Sequence, residues 1–168
     1  RTVEVYQFPQ LLDERAARST LMRRSIGIVD VSVDAEVYML YSSYLGRAGT
    51  RVYFADAPCI ALGVTGGGVN ARNPDARRRF LSWERLEEEL RDASAHARDV
   101  YVFSLEGCVE QGMLARIAEI DWSRPVPALP PEEERRARRA RRVTQWLFRA
   151  EPLIDLLAPA RQPPQATR

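Results

Sequence analysis

One acidic residue stands where a catalytic carboxylate would be useful: Glu106, in Ser104-Leu105-Glu106-Gly107, directly behind the apolar run 100–105. A short continuous apolar run after a helical segment reads as a strand buried on both faces, as in a parallel sheet. Catalytic groups gather at the carboxyl ends of such strands. A carboxylate there can be a general acid, a general base or a nucleophile. Partial burial beside Phe103 and Leu105 would raise its pKa toward a value suited to proton transfer. The bland alternative is that Glu106 caps the next helix or pairs with an arginine.

Two further apolar runs end in polar or glycine-rich tips. The run 37–41 leads into Ser42 and Ser43, and the run 59–64 leads into Gly66, Gly67 and Gly68. Tyr41, Ser42, Ser43 and Ser104 could hydrogen-bond a polar substrate, and a tyrosine ring could stack on a sugar. The glycines would let backbone N–H groups approach a ligand closely, although they match neither nucleotide-phosphate fingerprint; a tight turn or hinge explains them equally. Glycoside hydrolysis needs a second carboxylate about 5–10 Å from the first. Asp30 is the candidate. Asp34 and Glu36 share its alternation but precede a strand, at the wrong end for such a site. That trio could instead ligate a hard cation or form a solvated loop. No Gly-x-Ser-x-Gly surrounds the serines. One histidine and two separated cysteines argue against zinc; no cofactor and no metal is expected.

The chain has 168 residues, the size of one domain or part of a larger one. All 25 of its basic residues are arginine, which excludes Schiff-base, phosphate-loop and general-base lysines. A net charge of +2 implies no polyanionic partner by itself. Cys59 and Cys108 read as reduced core thiols. With no secretory signal and no span-length apolar stretch, the expectation is a cytoplasmic protein without a membrane partner. The chain opens on Arg1 with β-prone residues from Val3, which reads as a truncated or processed chain.

The positioning elements follow from pattern. Strands are expected at 3–8, 36–41, 59–65 and 100–105, with 26–33 undecided between strand and extended loop. Helical spacing runs through 10–24. Region 45–58 reads as irregular with room for one helical turn, because Gly46 and Gly49 weaken a helix. Ser82 should cap a helix reaching about 98, with Leu81 and Leu86 as a hydrophobic staple and Glu84, Glu87, Glu88 and Arg91 on the solvent side. A helix at 109–120 follows, then a stiff proline connector. The last helix starts at Pro131 behind Glu132 to Glu134 and should present Val143, Trp146, Leu147 and Ala150 until Pro152 interrupts it. The expected organisation is a strand–helix domain over 1–124, a connector and packed helix over 125–158, and a disordered tail over 159–168.

Alternation of strands and helices argues an α/β fold with a parallel sheet and right-handed crossovers. The tips Val37-Tyr-Met-Leu-Tyr-Ser-Ser43, Ile60-Ala-Leu-Gly-Val-Thr-Gly-Gly-Gly68 and Tyr101-Val-Phe-Ser-Leu-Glu-Gly107 together resemble the carboxyl-terminal half of a TIM (β/α)8 barrel, of the kind found in hydrolases acting on sugars. The resemblance spans about residues 3–120. It implies a carbohydrate or related small polar substrate, with Glu106 as the reacting carboxylate. A whole barrel takes about 250 residues, so it also implies a missing amino-terminal half, or a second copy, to cover the sheet edges. The alternative fold is a small open flavodoxin-like sheet. The alternative function is a non-enzymatic module whose arginines 135, 136, 138, 139, 141 and 142 bind nucleic acid or an acidic partner. The three preceding glutamates and near-neutral chain argue against nucleic acid.

Overall fold

The computed structural model describes residues 3–13, 19, 32–63, 65–66, 75 and 80–157, with 152–157 as backbone only. The expected helix over 10–24 and the undecided segment 26–33 fall largely outside them, as do Asp30, Gly67, Gly68 and the tail.

Four apolar runs form the strands β1 (Glu4–Gln7), β2 (Ala35–Met39), β3 (Cys59–Gly63) and β4 (Asp99–Phe103). All neighbouring pairs are parallel and the spatial order is β1-β2-β3-β4. The molecule is thus an α/β protein whose sheet advances strand by strand without reversal. All four carboxyl ends consequently lie along one edge.

Alternation within each strand separates two faces. Tyr38, Leu40, Ile60 and Leu62 face the helices and are buried, with Val100 and Val102 packed against them. Each fully buried aliphatic chain there contributes about 1.5–3 kcal/mol. The other face carries Val37, Cys59 and Ala61, sheltered by Tyr41 and Tyr101. The rings of Tyr6, on β1, and Tyr101, on β4, meet edge-on at 6.4 Å. Two long side chains from the outermost strands therefore roof a floor of smaller residues.

Three helical readings need correction. Residues 42–54, expected to be irregular beyond 45, form helix α1 (Ser42–Phe54). Gly46 sits inside it at φ 70° and kinks it, while buried Thr50, Tyr53 and Phe54 anchor the rest to the core. Packing outweighs the intrinsic cost of glycine. The single helix expected over 109–120 is two short ones, α3 (Leu105–Glu110) and α4 (Met113–Ala118), separated by Gly112 at φ 62°. The last helix, α5 (Pro131–Leu157), runs through Pro152 without the expected interruption, so that 153–157 continue it rather than form a separate turn.

Helix α2 (Trp83–Ser94) starts as its sequence predicts, with the Ser82 hydroxyl accepting from the Arg85 N–H. Its charges do not all face solvent. Arg91 is buried and donates to the carbonyls of Arg124 (2.8 Å) and Pro125 (3.1 Å). Arg47 and Arg51, on α1, donate to the Pro127 carbonyl at 2.9 and 3.3 Å. The connector has no regular hydrogen-bond ladder, so its carbonyls remain for guanidinium groups to take up.

Helix α5 docks through a polar side rather than its apolar stripe. Arg141 reaches Asp13 (2.9 Å), Asp56 (2.6 Å) and the Val52 carbonyl (2.6 Å), and lies 4.3 Å over the Tyr53 ring. Val143, Trp146 and Leu147, expected to pack on the domain, are 51 %, 63 % and 49 % exposed. Both cysteines are buried and free. Among the described residues, no helix is long and apolar enough to cross a membrane.

Candidate functional site

The tips of β3 and β4 interlock through small residues. The Thr65 hydroxyl donates to the Ser104 carbonyl and accepts from the Ser104 N–H, each at 2.9 Å. The Thr65 N–H bonds the Phe103 carbonyl at 3.0 Å. The Ser104 hydroxyl donates to the Gly66 carbonyl (2.6 Å) and accepts from the Gly107 N–H (3.3 Å), capping α3. Gln111 donates its side-chain amide to the Thr65 carbonyl. Gly107 is packed so closely that a Cβ would lie 2.5 Å from the Thr65 carbonyl carbon and oxygen. The peptide between Phe103 and Ser104 is cis.

Ser-Leu-Glu-Gly thus divides into inward and outward positions. Ser104 and Gly107 fix the turn, while Leu105 and Glu106 are exposed in the first turn of α3. The burial expected around Glu106 is absent, since Phe103 and Leu105 are 47 % and 67 % exposed. An acid in this position also suits the helix dipole.

Beside this latch lies an aromatic shelf. Gly63 pairs with Phe103 across the β3–β4 ladder, and a Cβ there would lie 2.7 Å from the Phe103 carbonyl oxygen and 3.4 Å from the Tyr41 ring. Its missing side chain lets Tyr41 and Phe103 stack at 6.0 Å across β3, with Tyr44 at 6.5 Å from Tyr41. Burial, reinforced by Tyr6 and Tyr44, pushes the Tyr41 hydroxyl up to about 12, so Tyr41 stays a neutral hydrogen-bonding group at ordinary pH. A mainly apolar cavity of about 450 Å³, lined by Phe8, Met39, Tyr41, Tyr44 and Leu45, opens next to the shelf at the ends of β1 and β2.

The structure therefore brings together four of the residues expected at a site, namely Tyr41, Gly66, Ser104 and Glu106, along one edge. It does not bring Ser42 and Ser43 to that opening. Both hydroxyl oxygens are buried, because these residues open α1 and turn back into the protein. Ser42 lies beside Glu89, a carboxylate on α2 that is 3 % exposed. Burial pushes the Glu89 carboxyl upward, opposed by the Ser42 hydroxyl and by Arg85 and Arg47. Ser104 and Gly66 are occupied in holding the turn. Asp34 accepts from the Val3 N–H at 2.7 Å and Glu36 from the Tyr38 hydroxyl at 2.6 Å, both away from the carboxyl edge.

Gly63, Thr65, Gly107, Phe8 and Met39 were given no role at the site from sequence, and Phe103 was expected only as an apolar neighbour of Glu106. Period-two alternation in the sequence places Met39 with Tyr41 on one side of their run and Tyr101 with Phe103 on one side of theirs; the strand register puts both pairs on the same face of the sheet. Among the described residues, no group of three or more His, Cys, Asp or Glu side chains converges to hold a metal. No family model, curated protein or solved structure matches the chain.

Proposed function

We propose that this chain supplies one half of a (β/α)8-type barrel and that its carboxyl edge carries acid–base hydrolysis of a carbohydrate or related polar substrate. Glu106 is the reacting carboxylate, as acid/base or nucleophile. Tyr41 and Phe103 form a stacking surface for a sugar face, and Ser104 with Gly66 sets the backbone that presents the acid. The second carboxylate, for which Asp30 remains the candidate, comes from outside the described residues.

The observation that carries this reading is the rigidity of the turn beneath an exposed acid. Thr65, Ser104 and Gly107 fix the backbone on both sides of Glu106, and a reacting group must be held within a fraction of an ångström of its productive geometry. The unreversed strand order is also that of a barrel, in which each crossover steps the sheet onward, whereas flavodoxin-like sheets reverse at a switch point. The outer strands β1 and β4 are then where the remaining barrel strands, or those of a second copy, would pair.

The test is hydrolysis of a panel of nitrophenyl glycosides by the wild-type protein and by Glu106→Gln. The variant should lose about 100-fold or more in kcat, with little change in melting temperature, because residue 106 is exposed and glutamine keeps its shape. Full activity in the variant, or no turnover of any glycoside by the wild type, overturns the proposal.

A further inference from the structure

We propose that the outer face of α5 is a landing surface for an anionic phospholipid layer. Arg139, Arg142, Val143, Trp146, Leu147 and Arg149 follow the i, i+3, i+4, i+7 spacing that gathers side chains on one side of a helix, and all six are exposed. The docked side is the opposite one, where Arg141 holds α5 to α1.

The arginines of this helix fall into two groups. Arg135 and Arg136 pair with Glu132 at 3.9 and 3.7 Å, and Arg138 with Glu134 at 2.7 Å. Arg139, Arg142 and Arg149 make no ion pair among the described residues, and these three border the apolar stripe. The face therefore offers uncompensated cations alongside exposed apolar side chains.

That combination selects among occupants. A second copy of α5 would set the same unpaired arginines against each other without an acid between them. A helical partner would meet Arg139 in its own apolar seam, one turn before Val143. A nucleic acid would satisfy the arginines and stack on Trp146, but would leave Val143 and Leu147 against phosphate and water. An anionic lipid surface satisfies every member of the face. Phosphates meet the guanidinium groups, the indole sits at headgroup level, and Val143 and Leu147 enter the shallow acyl boundary. That no helix among the described residues is long and apolar enough to cross a membrane concerns spanning, and a helix lying on a surface needs no such length.

Flotation with phosphatidylcholine vesicles, with and without phosphatidylserine, tests the assignment. The wild-type protein should float only with phosphatidylserine vesicles, and less so at high salt. Neutralising Arg139→Gln, Arg142→Gln and Arg149→Gln together should weaken partitioning on the order of 100-fold. Leu147→Glu should abolish flotation while the helical circular dichroism and melting temperature stay at wild-type values. The blue shift of tryptophan emission on binding should disappear in Trp146→Phe. No flotation of the wild type, equal flotation with uncharged vesicles, or undiminished flotation of the triple variant overturns the proposal. So does binding to a single-stranded oligonucleotide in place of vesicles.

Discussion

The two ends of the sheet are held by different means. At the carboxyl end, β3 and β4 are joined by backbone groups and by the small residues Gly63, Thr65, Ser104 and Gly107. At the amino end, long side chains reach across the surface. Tyr101 donates to Glu4 at 3.0 Å, and Arg98 binds both Asp99 (2.7 Å) and the Cys59 sulfur (3.3 Å). Burial pushes the Cys59 thiol up, helped by Asp99 and opposed by Arg98, so this sulfur is held as a protonated core group. Side-chain pairs at a surface contribute little and rearrange readily. A latch of small residues admits almost no rearrangement. The end where we propose the chemistry lies is the end built without slack.

Substitutions at the two ends should separate accordingly. Gly107→Ala is expected to be the most damaging, because its new methyl would collide with the Thr65 backbone, at a cost of about 3 kcal/mol; chemical denaturation measures it, and a near-neutral result would show that the latch yields. Thr65→Val should cost about 1–3 kcal/mol by stranding the Ser104 N–H and carbonyl. On the proposed hydrolase reading it should also lower kcat. Behind the same end, folding raises the proton affinity of Glu89 through burial. The folded state then keeps its proton where the unfolded chain has released it, so this group favours folding most below the ordinary carboxylate range and its contribution falls as pH rises through and above that range. Glu89→Gln should flatten this decline in a series of melts from acid to neutral pH. Part of the slope should remain, because burial raises Asp92 in the same way. At the amino end, Tyr101→Phe should leave the melting temperature unchanged, and a large drop would remove the contrast between the ends.

The strands were legible because continuous apolar runs bounded by polar tips have few other readings. β3 begins at Cys59, where its run begins, and β4 lies within two residues of its expected bounds. Ser82 was legible as a cap because its chemistry is local. Helix α1 was not legible, since Gly46 and Gly49 argue against it and the burial of Thr50, Tyr53 and Phe54 that fixes it is a tertiary fact. Arg91 illustrates a second limit. Nothing in its neighbourhood announces a buried guanidinium, because its carbonyl acceptors lie 33 and 34 residues away. At the candidate site, the Glu106 tip and its neighbour Tyr41 were legible as strand ends. The latch was not, because Thr65 and Ser104 find each other across 39 residues. Ser42 and Ser43 misled because a hydroxyl pair after a strand looks the same whether the chain turns outward or folds back.

Arg141 ties a segment near the beginning of the sequence to one near its end, reaching Asp13 across 128 residues and Asp56 across 85. During synthesis the strands leave the ribosome before this helix exists. Until the guanidinium is translated, Asp13 and Asp56 lack the cation that they share in the folded molecule. Docking of α5 is thus recorded in a single residue: nascent chains stopped short of position 141 should be cut readily by a protease around residue 56, and chains extended past α5 should resist.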